Sequence, residues 1–562
     1  MSADDPMKFA MAQINPTVGD LKGNSVLISE TIRLAKQSGA CLVMFPELSV
    51  TGYPPQDLLY QHDFVNMNID YVRRICAVEP DMTVVVGFVD RDHQWNLYNA
   101  AAIISHGQIL DIVRKTLLPT YDVFDEARYF APQRPDQIRP VNVTLEGRTV
   151  MLGVEICEDL WDTSYDTKVT DILSRRGAQL VLNISASPFH VGKGRERLDL
   201  LASKARSNGV PMLLVNMVGG QDELVFDGQS IAVDASGECI AYGKAFEEEI
   251  VYVDIDPLTM TAAKVIPPSP AAVVEVYHAL VLGVRDYFRK TGFKRAVLGL
   301  SGGIDSSVSV CIAADALGPE NVIGVSMPSR FSSEHSKRDA AAIAENLGIC
   351  YLTQPIQGIV ESYHRELETT LTEIRTVFKV DAREEDPVAD ENIQPRVRGN
   401  CLMDISNRFK SLRIMVLNTG NKTELALGFC TLYGDLTGGL GVLGDVSKLM
   451  VYELGRYINT RAGREIIPQS VFEKRPSPEL KENQFDPFDF DIVSPLVDEI
   501  VENRRGRAEL IAMGYPPDVV DDTLTRIRRA EYKRWQAPPC IKITRRAFGT
   551  GWKMPIVNHY AG

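Results

Sequence analysis

In the first half of the chain, apolar residues fall in short runs separated by stretches of mixed polarity. The runs are dense in Val, Ile, Leu and Met, which is typical of buried β-strands. Residues 23–39 and 193–208 instead carry apolar positions at helical spacing, which predicts amphipathic helices. The predicted strands are MKFAMAQI, CLVMFPEL, TVVVGFVD, TVMLGVEIC, AQLVLNIS and PMLLVNMV. Their alternation with helices predicts an α/β domain.

Prolines break this pattern at residues 266–270, where the sequence reads IPPSP. Because proline can continue neither a helix nor a central strand, we predict one domain at 1–265 and a second at 266–562. After a helical segment, the second part runs through the strand FKRAVLGL, a Gly/Ser loop, a helix, NVIGVSMP, a further helix and ICYLTQPI. This βαβαβ order predicts a parallel sheet with right-handed crossovers.

Two later segments, 380–391 and 473–490, are charged and interrupted by proline. Neither shows a sustained apolar period. We therefore predict that both are mobile loops.

The composition of the chain limits the classes of protein to which it can belong. Apolar residues make up 45% and charged residues 24%, as in ordinary globular proteins, and no run approaches the ~18 apolar residues of a membrane-spanning helix. The N-terminus MSADDPMKFAMAQI is acidic where a signal peptide needs a basic region. Sixty basic against 74 acidic side chains give a net charge of −14, which disfavours nucleic acid as a partner. Nine scattered cysteines without a CxxC pair, and only eight histidines, indicate reduced thiols in the cytoplasm and argue against a zinc site.

Three chemically reactive residues stand at the ends of apolar runs in the first half: Glu47, Lys115 and Cys157. A glutamate can take the proton of a thiol, and a lysine can stabilise the oxyanion that forms when the thiolate attacks a carboxamide. Taken one at a time, each has a simpler interpretation. A single cysteine is usually a small core residue, and a Glu–Lys pair is often a weak surface ion pair.

The sequence around these residues favours catalysis. The segments FPELSVTGYP, RKTLLPTYDVFDE and GVEICEDLW resemble, in this order, the three signatures of the nitrilase (carbon–nitrogen hydrolase) superfamily, over about residues 7–255. The resemblance implies an αββα sandwich and an amidase that forms a thioester on Cys157. It also implies that Glu126 braces Lys115.

A further segment, NISASPFHVGK, is similar to one found in the glutamine-using members of that superfamily. The similarity implies that the amino-acid end of glutamine is contacted by Tyr121, Glu158, Ser187 and Lys193. Tyr121 could instead only pack, and Lys193 could be an ordinary charge at a helix start.

The second half carries a Gly/Ser loop, SGGIDSS, between a strand and a helix. Glycines let a backbone approach phosphate, and the following helix N-terminus offers free N–H groups and a positive dipole. The Gly-Lys-Ser/Thr ending of a Walker loop is absent. We predict that this loop binds ATP, and that Asp305 holds Mg²⁺ with the phosphates. The predicted ATP contacts in the loop are Ser301, Gly302, Gly303, Ile304, Asp305, Ser306 and Ser307.

The loop resembles that of the ATP-pyrophosphatase group, which adenylates a carbonyl oxygen and releases pyrophosphate. The segments MPSRFSSEHS, NTGNKTELALGFCTLYGDLTGG and KRWQAPPCIKITRRAFGTGWKMP resemble the NAD synthetase family, from about residue 271 to 562. The resemblance implies a doubly wound parallel sheet and a homo-oligomer built on a dimer of this domain. By position, Glu424 shares Mg²⁺ with Asp305 and contacts deamido-NAD, and Thr419 contacts ATP. Asn392 and Lys533 are further implied contacts of deamido-NAD.

Together, the two resemblances imply a cytoplasmic ligase with Mg²⁺ as cofactor and ATP as co-substrate, whose partners are the small molecules glutamine, ATP and deamido-NAD. One alternative is a glutamine-dependent amidotransferase of the same group that acts on another acceptor. A second is a nucleotide-sensing module without catalysis, although the reactive residues are all present. The basic stretch RIRRAEYKRWQAPPCIKITRR could also bind RNA, but the acidic total and the absence of an added RNA-binding module argue against it.

Overall fold

The computed structural model describes residues 6–255 and 263–560, and the chain divides into two compact units, Met1–Pro270 and Ala271–Gly562. Residues 1–5, on which the signal-peptide prediction partly rests, and residues 256–262 of the predicted first domain lie outside the described residues. Within the described ranges, no helix combines the length and apolar character needed to cross a membrane.

The first unit is built from short strands and amphipathic helices. Its strands are β1 (Met7–Gln13), β2 (Leu42–Met44), β3 (Thr83–Arg91), β4 (Leu97–Ser105), β5 (Gln108–Arg114), β6 (Val141–Leu145), β7 (Arg148–Ile156), β8 (Leu180–Ser185), β9 (Met212–Asn216), β10 (Val218–Gln221), β11 (Leu224–Asp227), β12 (Ile231–Val233), β13 (Cys239–Tyr242) and β14 (Glu249–Ile255). Its helices are α1 (Leu21–Gln37), α2 (His62–Ile75), α3 (Val169–Arg175) and α4 (Lys193–Asn208). In the described residues the strands form two six-stranded sheets, in the orders β14-β1-β2-β3-β4-β5 and β13-β12-β9-β8-β7-β6, and a β10-β11 ribbon.

The two sheets pack face to face because each strand alternates its side chains between two apolar environments. In β1, Phe9 and Met11 lie in the core between the sheets, whereas Ala10 lies in a second core with Ile28 of α1. Leu201 of α4 packs in a third core, on the outer face of the second sheet. The layers are therefore helix, sheet, sheet and helix, which confirms the predicted αββα sandwich.

The second unit has one parallel sheet surrounded by helices. Its strands are β15 (Arg295–Gly299), β16 (Val322–Ser326), β17 (Cys350–Thr353), β18 (Ile414–Asn418) and β19 (Leu440–Gly441). Its helices are α5 (Ala272–Thr291), α6 (Ile304–Leu317), α7 (Glu334–Leu347), α8 (Gln357–Phe378), α9 (Val388–Arg408), α10 (Lys422–Leu427), α11 (Lys448–Ala462), α12 (Gln469–Glu473), α13 (Phe490–Val501), α14 (Arg507–Ala512), α15 (Pro517–Arg529) and α16 (Glu531–Arg534).

The strand order β17-β16-β15-β18-β19 and the parallel pairing of every neighbour confirm a doubly wound sheet. Helix α9 packs on β15 and β18 through Val397 and Leu402, and α6 packs on β15 and β16. The order runs outward from β15 in both directions. The loops after β15 and β18 therefore lie at the switch point, where α/β sheets bind their ligands.

The prediction of a mobile loop at 380–391 is wrong for residues 388–391, because α9 begins at Val388. Asp390 and Glu391 lie in the first turn of this helix, where acidic side chains interact favourably with the helix dipole. Pro387 immediately precedes the helix, where its missing N–H removes no helical hydrogen bond.

The segment predicted as a mobile loop at 473–490 joins α12 to α13 and is tied to α7 by side-chain hydrogen bonds. Glu479 Oε1 accepts hydrogen bonds from the hydroxyls of Ser333 and Ser336, each at 2.9 Å. Lys474 pairs with the same carboxylate at 2.7 Å. The segment is thus anchored at its middle, which its charged, proline-containing sequence did not indicate.

Candidate active sites

Three strand ends bring Glu47, Lys115 and Cys157 together in the first unit. Glu47 lies shortly after β2, Lys115 directly follows β5, and Cys157 directly follows β7. All three side chains are buried. The strands end at one edge of the sandwich, so residues distant in the sequence form a single polar cluster inside an apolar domain.

The ammonium group of Lys115 lies between two carboxylates. Its Nζ is 2.7 Å from Glu47 Oε1 and 2.8 and 2.9 Å from the two oxygens of Glu126. Burial alone would lower the pKa of Lys115, but the charges of Glu126 and Glu47 outweigh it and hold this pKa well above its usual value. Burial raises the pKa of Glu126, against the charge of Lys115. The lysine is therefore a fixed positive charge.

Groups outside the predicted set fix the two carboxylates. Asn99 Nδ2 donates to Glu47 Oε1 at 2.6 Å and to Glu126 Oε2 at 3.4 Å, and the Tyr53 hydroxyl donates to Glu126 Oε1 at 2.9 Å. The backbone N–H of Ala186 donates to Glu47 Oε2 at 3.0 Å. Each carboxylate thus accepts bonds from several directions, which restricts its orientation.

Cys157 stands at a sharp turn between β7 and a short 3₁₀ helix. Its backbone has φ 45°, a left-handed conformation that is rare for a residue with a side chain. Burial and the charge of Glu47 raise the pKa of the thiol well above its usual value, against the charge of Lys115. At neutral pH the side chain is a thiol, so attack on a substrate requires a base that takes its proton.

Asp159 joins the backbone around Cys157 to the backbone after Lys115. Its Oδ1 accepts from the N–H groups of Thr116 at 3.0 Å and Leu117 at 2.8 Å, and its Oδ2 accepts from Ile156 N–H at 3.1 Å. Burial raises its pKa to about 7. This buried carboxylate fixes the spacing of the nucleophile and the lysine.

The residues predicted to contact glutamine lie in the same unit, on loops, in a 3₁₀ turn and at the start of α4. Tyr121 donates from its hydroxyl to Glu158 Oε2 at 2.9 Å. Ser187 is buried, and its N–H donates to Asn216 Oδ1 at 2.9 Å. Lys193 begins α4, and its Nζ lies 3.5 Å from the ring centroid of Trp161. The structure pairs Tyr121 with Glu158 directly; the glutamine contacts themselves remain predictions.

In the second unit, the Gly/Ser loop borders a cavity of about 340 Å³. Gly302 has φ 79°, and a Cβ at this position would lie 2.2 Å from the carbonyl oxygen of Ser336, so only glycine fits. Ser307 lies beneath the loop, and its hydroxyl donates to Gly303 O at 2.7 Å. The predicted loop residues on the cavity wall are Ser301, Gly303, Ile304, Asp305 and Ser306.

Two acidic side chains on this wall share one lysine. Lys448 Nζ is 2.6 Å from Asp305 Oδ2 and 3.2 Å from Glu424 Oε1. Asn421 Nδ2 donates to Asp305 Oδ1 at 2.8 Å, and its Oδ1 accepts from the N–H of Glu424 at 3.0 Å. Burial raises the pKa of Glu424 to about 7, against the charge of Lys448. Asp305 and Glu424 thus both contact one ammonium group, and the Mg²⁺ that the family resemblance assigns to them remains a prediction.

The other predicted nucleotide contacts fall into two groups. Thr419 directly follows β18 and lines the cavity. Asn392 Oδ1 accepts from the Thr431 hydroxyl at 2.7 Å, and Lys533 Nζ donates to the carbonyl oxygen of Cys430 at 2.7 Å. Within the described residues, the cavity wall includes Cys430 but neither Asn392 nor Lys533. Their contacts with deamido-NAD remain predictions.

The two units match two different family models. The carbon-nitrogen hydrolase model matches residues 8–265, and the NAD synthase model matches residues 276–537. The glutamine-dependent NAD(+) synthetase of Thermotoga maritima is 41% identical to this chain, over 99% of each sequence. That of Synechocystis sp. is 40% identical, over 98% of this chain and 99% of its own. The chain belongs to the glutamine-dependent NAD(+) synthetase family.

A solved structure of the family has the same architecture. The glutamine-dependent NAD+ synthetase of Acinetobacter baumannii, in complex with ADP, is 35% identical and superposes with a TM-score of 0.75 over 98% of both chains. The enzyme of Cytophaga hutchinsonii, at 21% identity and a TM-score of 0.82 over 98% of both chains, supports the fold alone.

Asn99 and Lys448 are among the polar site residues that the sequence analysis did not predict. Asn99 interrupts the apolar run LYNAAAII. Burying its amide costs free energy unless the amide is hydrogen-bonded. Lys448 follows the loop GVLGDVS and is buried on the cavity wall. The interruption of an apolar run could have pointed to Asn99. Nothing in the sequence near Lys448 distinguishes it from a surface lysine.

Proposed function

We propose that this chain is an enzyme that hydrolyses glutamine in its first unit and uses the ammonia in its second unit to convert deamido-NAD to NAD at the expense of ATP. One observation carries this proposal. A single chain holds both a buried Glu–Lys–Cys cluster and an ATP-type loop, and relatives that match it from end to end are glutamine-dependent NAD(+) synthetases.

In the first unit, Glu47 takes the proton of the Cys157 thiol, and the sulfur attacks the carboxamide carbon of glutamine. Lys115 lies beside Glu47 and stabilises the oxyanion that develops on the carboxamide oxygen. The C–N bond then breaks, and the nitrogen leaves as ammonia with the proton returned by Glu47. Water hydrolyses the thioester, which releases glutamate and restores the thiol. Glu126 keeps Lys115 charged and in place throughout.

In the second unit, the triphosphate of ATP lies on the Gly/Ser loop at the N-terminus of α6, where free N–H groups and the helix dipole favour phosphate. The carboxylate oxygen of deamido-NAD attacks the α-phosphorus, and pyrophosphate leaves. Ammonia then attacks the carbonyl carbon of the adenylate, AMP leaves, and the nitrogen loses one proton to solvent, which gives the carboxamide of NAD. Lys448 is buried on the cavity wall, where its charge offsets the phosphates.

Asp305 and Glu424 would hold Mg²⁺. In the ranges that the structure describes, no group of three or more His, Cys, Asp or Glu is arranged as a metal site. Mg²⁺ at nucleotide sites usually takes one or two carboxylates and completes its shell with phosphate oxygens and water. Two carboxylates that already converge on one ammonium fit that requirement. The ion would neutralise charge on the pyrophosphate leaving group.

The proposal is tested by incubating the purified chain with deamido-NAD, ATP, Mg²⁺ and glutamine, and measuring the products by mass spectrometry. NAD, AMP, pyrophosphate and glutamate are all expected. Glutamate without AMP or NAD would point to an amidotransferase that acts on another acceptor. The absence of both hydrolysis and ligation would contradict the proposal.

We retain the cytoplasm as the location, which the cysteines support. All nine cysteines lie in the described part of the chain, and all are free thiols. Free thiols persist in reducing compartments, whereas secreted proteins usually form disulfides.

The second unit also carries a surface suited to the homodimer implied by its family. Helix α8 is almost entirely exposed, yet it presents apolar side chains along one stripe. At 1.5 Å per residue the stripe runs for about 30 Å, long enough for a specific helix-mediated interface. We propose a second copy of the chain as its partner. The exposed members of the stripe are Ile359, Tyr363, Leu367, Leu371, Ile374, Val377 and Phe378.

Leu371→Asp should weaken this dimer, because a carboxylate at the centre of an apolar interface loses its hydration without gaining a partner. Light scattering after size exclusion should give at least twice the chain mass of 62.3 kDa for the wild type and a lower mass for the variant. Thr369→Asp, which adds the same charge on the other side of α8, serves as the control and should leave the mass unchanged. A wild type that is monomeric at micromolar concentration would exclude the dimer.

A further inference from the structure

A second phenol reaches the carboxylate of Glu158 from a separate loop. The hydroxyl of Tyr165 donates to Glu158 Oε1 at 3.0 Å, while that of Tyr121 donates to Glu158 Oε2 at 2.9 Å. Tyr165 follows a short 3₁₀ turn, and its N–H donates to the carbonyl oxygen of Asp162 at 3.0 Å, which fixes the turn. The carboxylate is therefore held from two sides by hydroxyl groups that come from different parts of the chain.

Both phenols stay protonated at neutral pH and donate their hydrogens to the carboxylate. Burial, and then the charge of Glu158, raises the pKa of Tyr165 to about 12. The same two causes raise the pKa of Tyr121. Glu158 itself is buried, which raises its pKa, while the bonds from the phenols and the charge of Lys115 act in the opposite direction.

The carboxylate retains acceptor capacity after these bonds. Two carboxylate oxygens offer about four lone-pair directions, and the two phenols do not use all of them. A carboxylate kept in a fixed orientation with an unused lone pair recognises a group that has N–H donors and a positive charge, such as an ammonium.

The position of this carboxylate suits the α-ammonium group of glutamine. Glu158 directly follows Cys157 in the chain, and its carboxyl group interacts electrostatically with Lys115 of the same cluster. In glutamine, only the side-chain methylenes and the α-carbon separate the ammonium from the carboxamide carbon. A carboxylate next to the nucleophile can therefore hold the ammonium while the carboxamide lies at the sulfur.

We propose that Tyr165 is a positioning residue for the α-ammonium group of the substrate. By orienting Glu158 together with Tyr121, it makes the first unit selective for amides of α-amino acids over amides of the same length without an amino group. This inference rests on the proposed glutamine hydrolysis and adds a residue that determines its specificity.

The test compares two substrates in the wild type and in Tyr165→Phe, which removes the hydroxyl and keeps the ring. The substrates are glutamine and glutaramate, which is glutamine without its α-amino group. A lost hydrogen bond to a charged group should raise the KM for glutamine about 10-fold in the variant, with kcat within about twofold. The kcat/KM for glutaramate should stay unchanged, so the preference for glutamine should fall by the same factor.

Tyr129→Phe is the matched control. It removes a phenol that donates to another carboxylate, Asp57, at 2.7 Å on the surface of the same unit, and it should leave both substrates unaffected. A kcat for glutamine close to the wild-type value verifies that the first unit of the Tyr165 variant is folded.

The outcomes separate this inference from the proposed function. If the wild type hydrolyses glutamine and Tyr165→Phe changes neither KM nor the preference, the role of Tyr165 is wrong and the function stands. An equal fall in kcat/KM for glutamine and glutaramate would also overturn it, because a merely structural defect affects both. A wild type that does not hydrolyse glutamine would overturn both the inference and the proposed function.

Discussion

Cys157→Ala should abolish NAD synthesis from glutamine while leaving synthesis from ammonium salts intact. The substitution removes the nucleophile, whose loss in enzymes of this kind lowers the rate by roughly 10⁴-fold or more. The adenylation and amidation residues lie in the second unit, on loops that the substitution does not touch. The measurement is the rate of NAD formation with each nitrogen source at equal protein concentration.

The matched control for this prediction is Cys239→Ala. Cys239 is also buried in the first unit, but it lies in β13 and its thiol donates to the carbonyl oxygen of Ala241. This variant should keep both activities. Persistent glutamine-driven synthesis in Cys157→Ala would show that the thioester is formed elsewhere or not at all.

Asp305→Asn should give the opposite pattern, with loss of synthesis from both nitrogen sources and survival of glutamine hydrolysis. The substitution removes one of the two carboxylates proposed to hold Mg²⁺ and leaves Lys448 without its closest partner. Loss of one group that stabilises the transition state typically costs about 10²- to 10³-fold in rate. Glutamate release and NAD formation are measured in the same samples.

Asp522→Asn serves as the control for the loss of a carboxylate from the second unit. Asp522 is exposed and pairs only with its helical neighbour Arg526, among the contacts of the described residues. It should leave both rates within about twofold, as surface pairs contribute little. Full ammonia-driven synthesis by Asp305→Asn would exclude this residue as a metal ligand.

Much of the fold was predictable because it depends on local patterns. The helix predicted at 193–208 is α4 (Lys193–Asn208), and its apolar residues at helical spacing pack on the second sheet. The strand before SGGIDSS and the helix after it are β15 and α6. Strand, glycine loop and helix are set by neighbouring residues, so a single sequence carries their signal.

The start of α9 shows where prediction from the local sequence fails. Residues 380–391 are charged and include a proline, and these features predict a loop. The same acidic residues stabilise the first turn of a helix when a helix follows. Whether such a segment is a loop or a helix start depends on what the next turns pack against, in this case β15 and β18.

The partners of the reactive residues could not be read from the sequence. Asn99 and Lys448 each act on a residue far away in the chain. The pairing of the strands and the order of the sheet bring these residues to their partners. A single sequence does not show this pairing in the residues nearby. The residue types indicated which reactions are possible. The charged groups that surround each reactive residue became known only from the structure.

The most direct test of glutamine-dependent NAD synthesis follows the nitrogen atom itself. The chain is supplied with deamido-NAD, ATP, Mg²⁺ and glutamine labelled with ¹⁵N in its amide, in the presence of unlabelled ammonium at a concentration too low to drive synthesis alone. Mass spectrometry of the product should show NAD heavier by one mass unit, with the label in its carboxamide. Unlabelled NAD, or labelled ammonia without labelled NAD, would contradict the transfer of glutamine nitrogen to deamido-NAD by this chain.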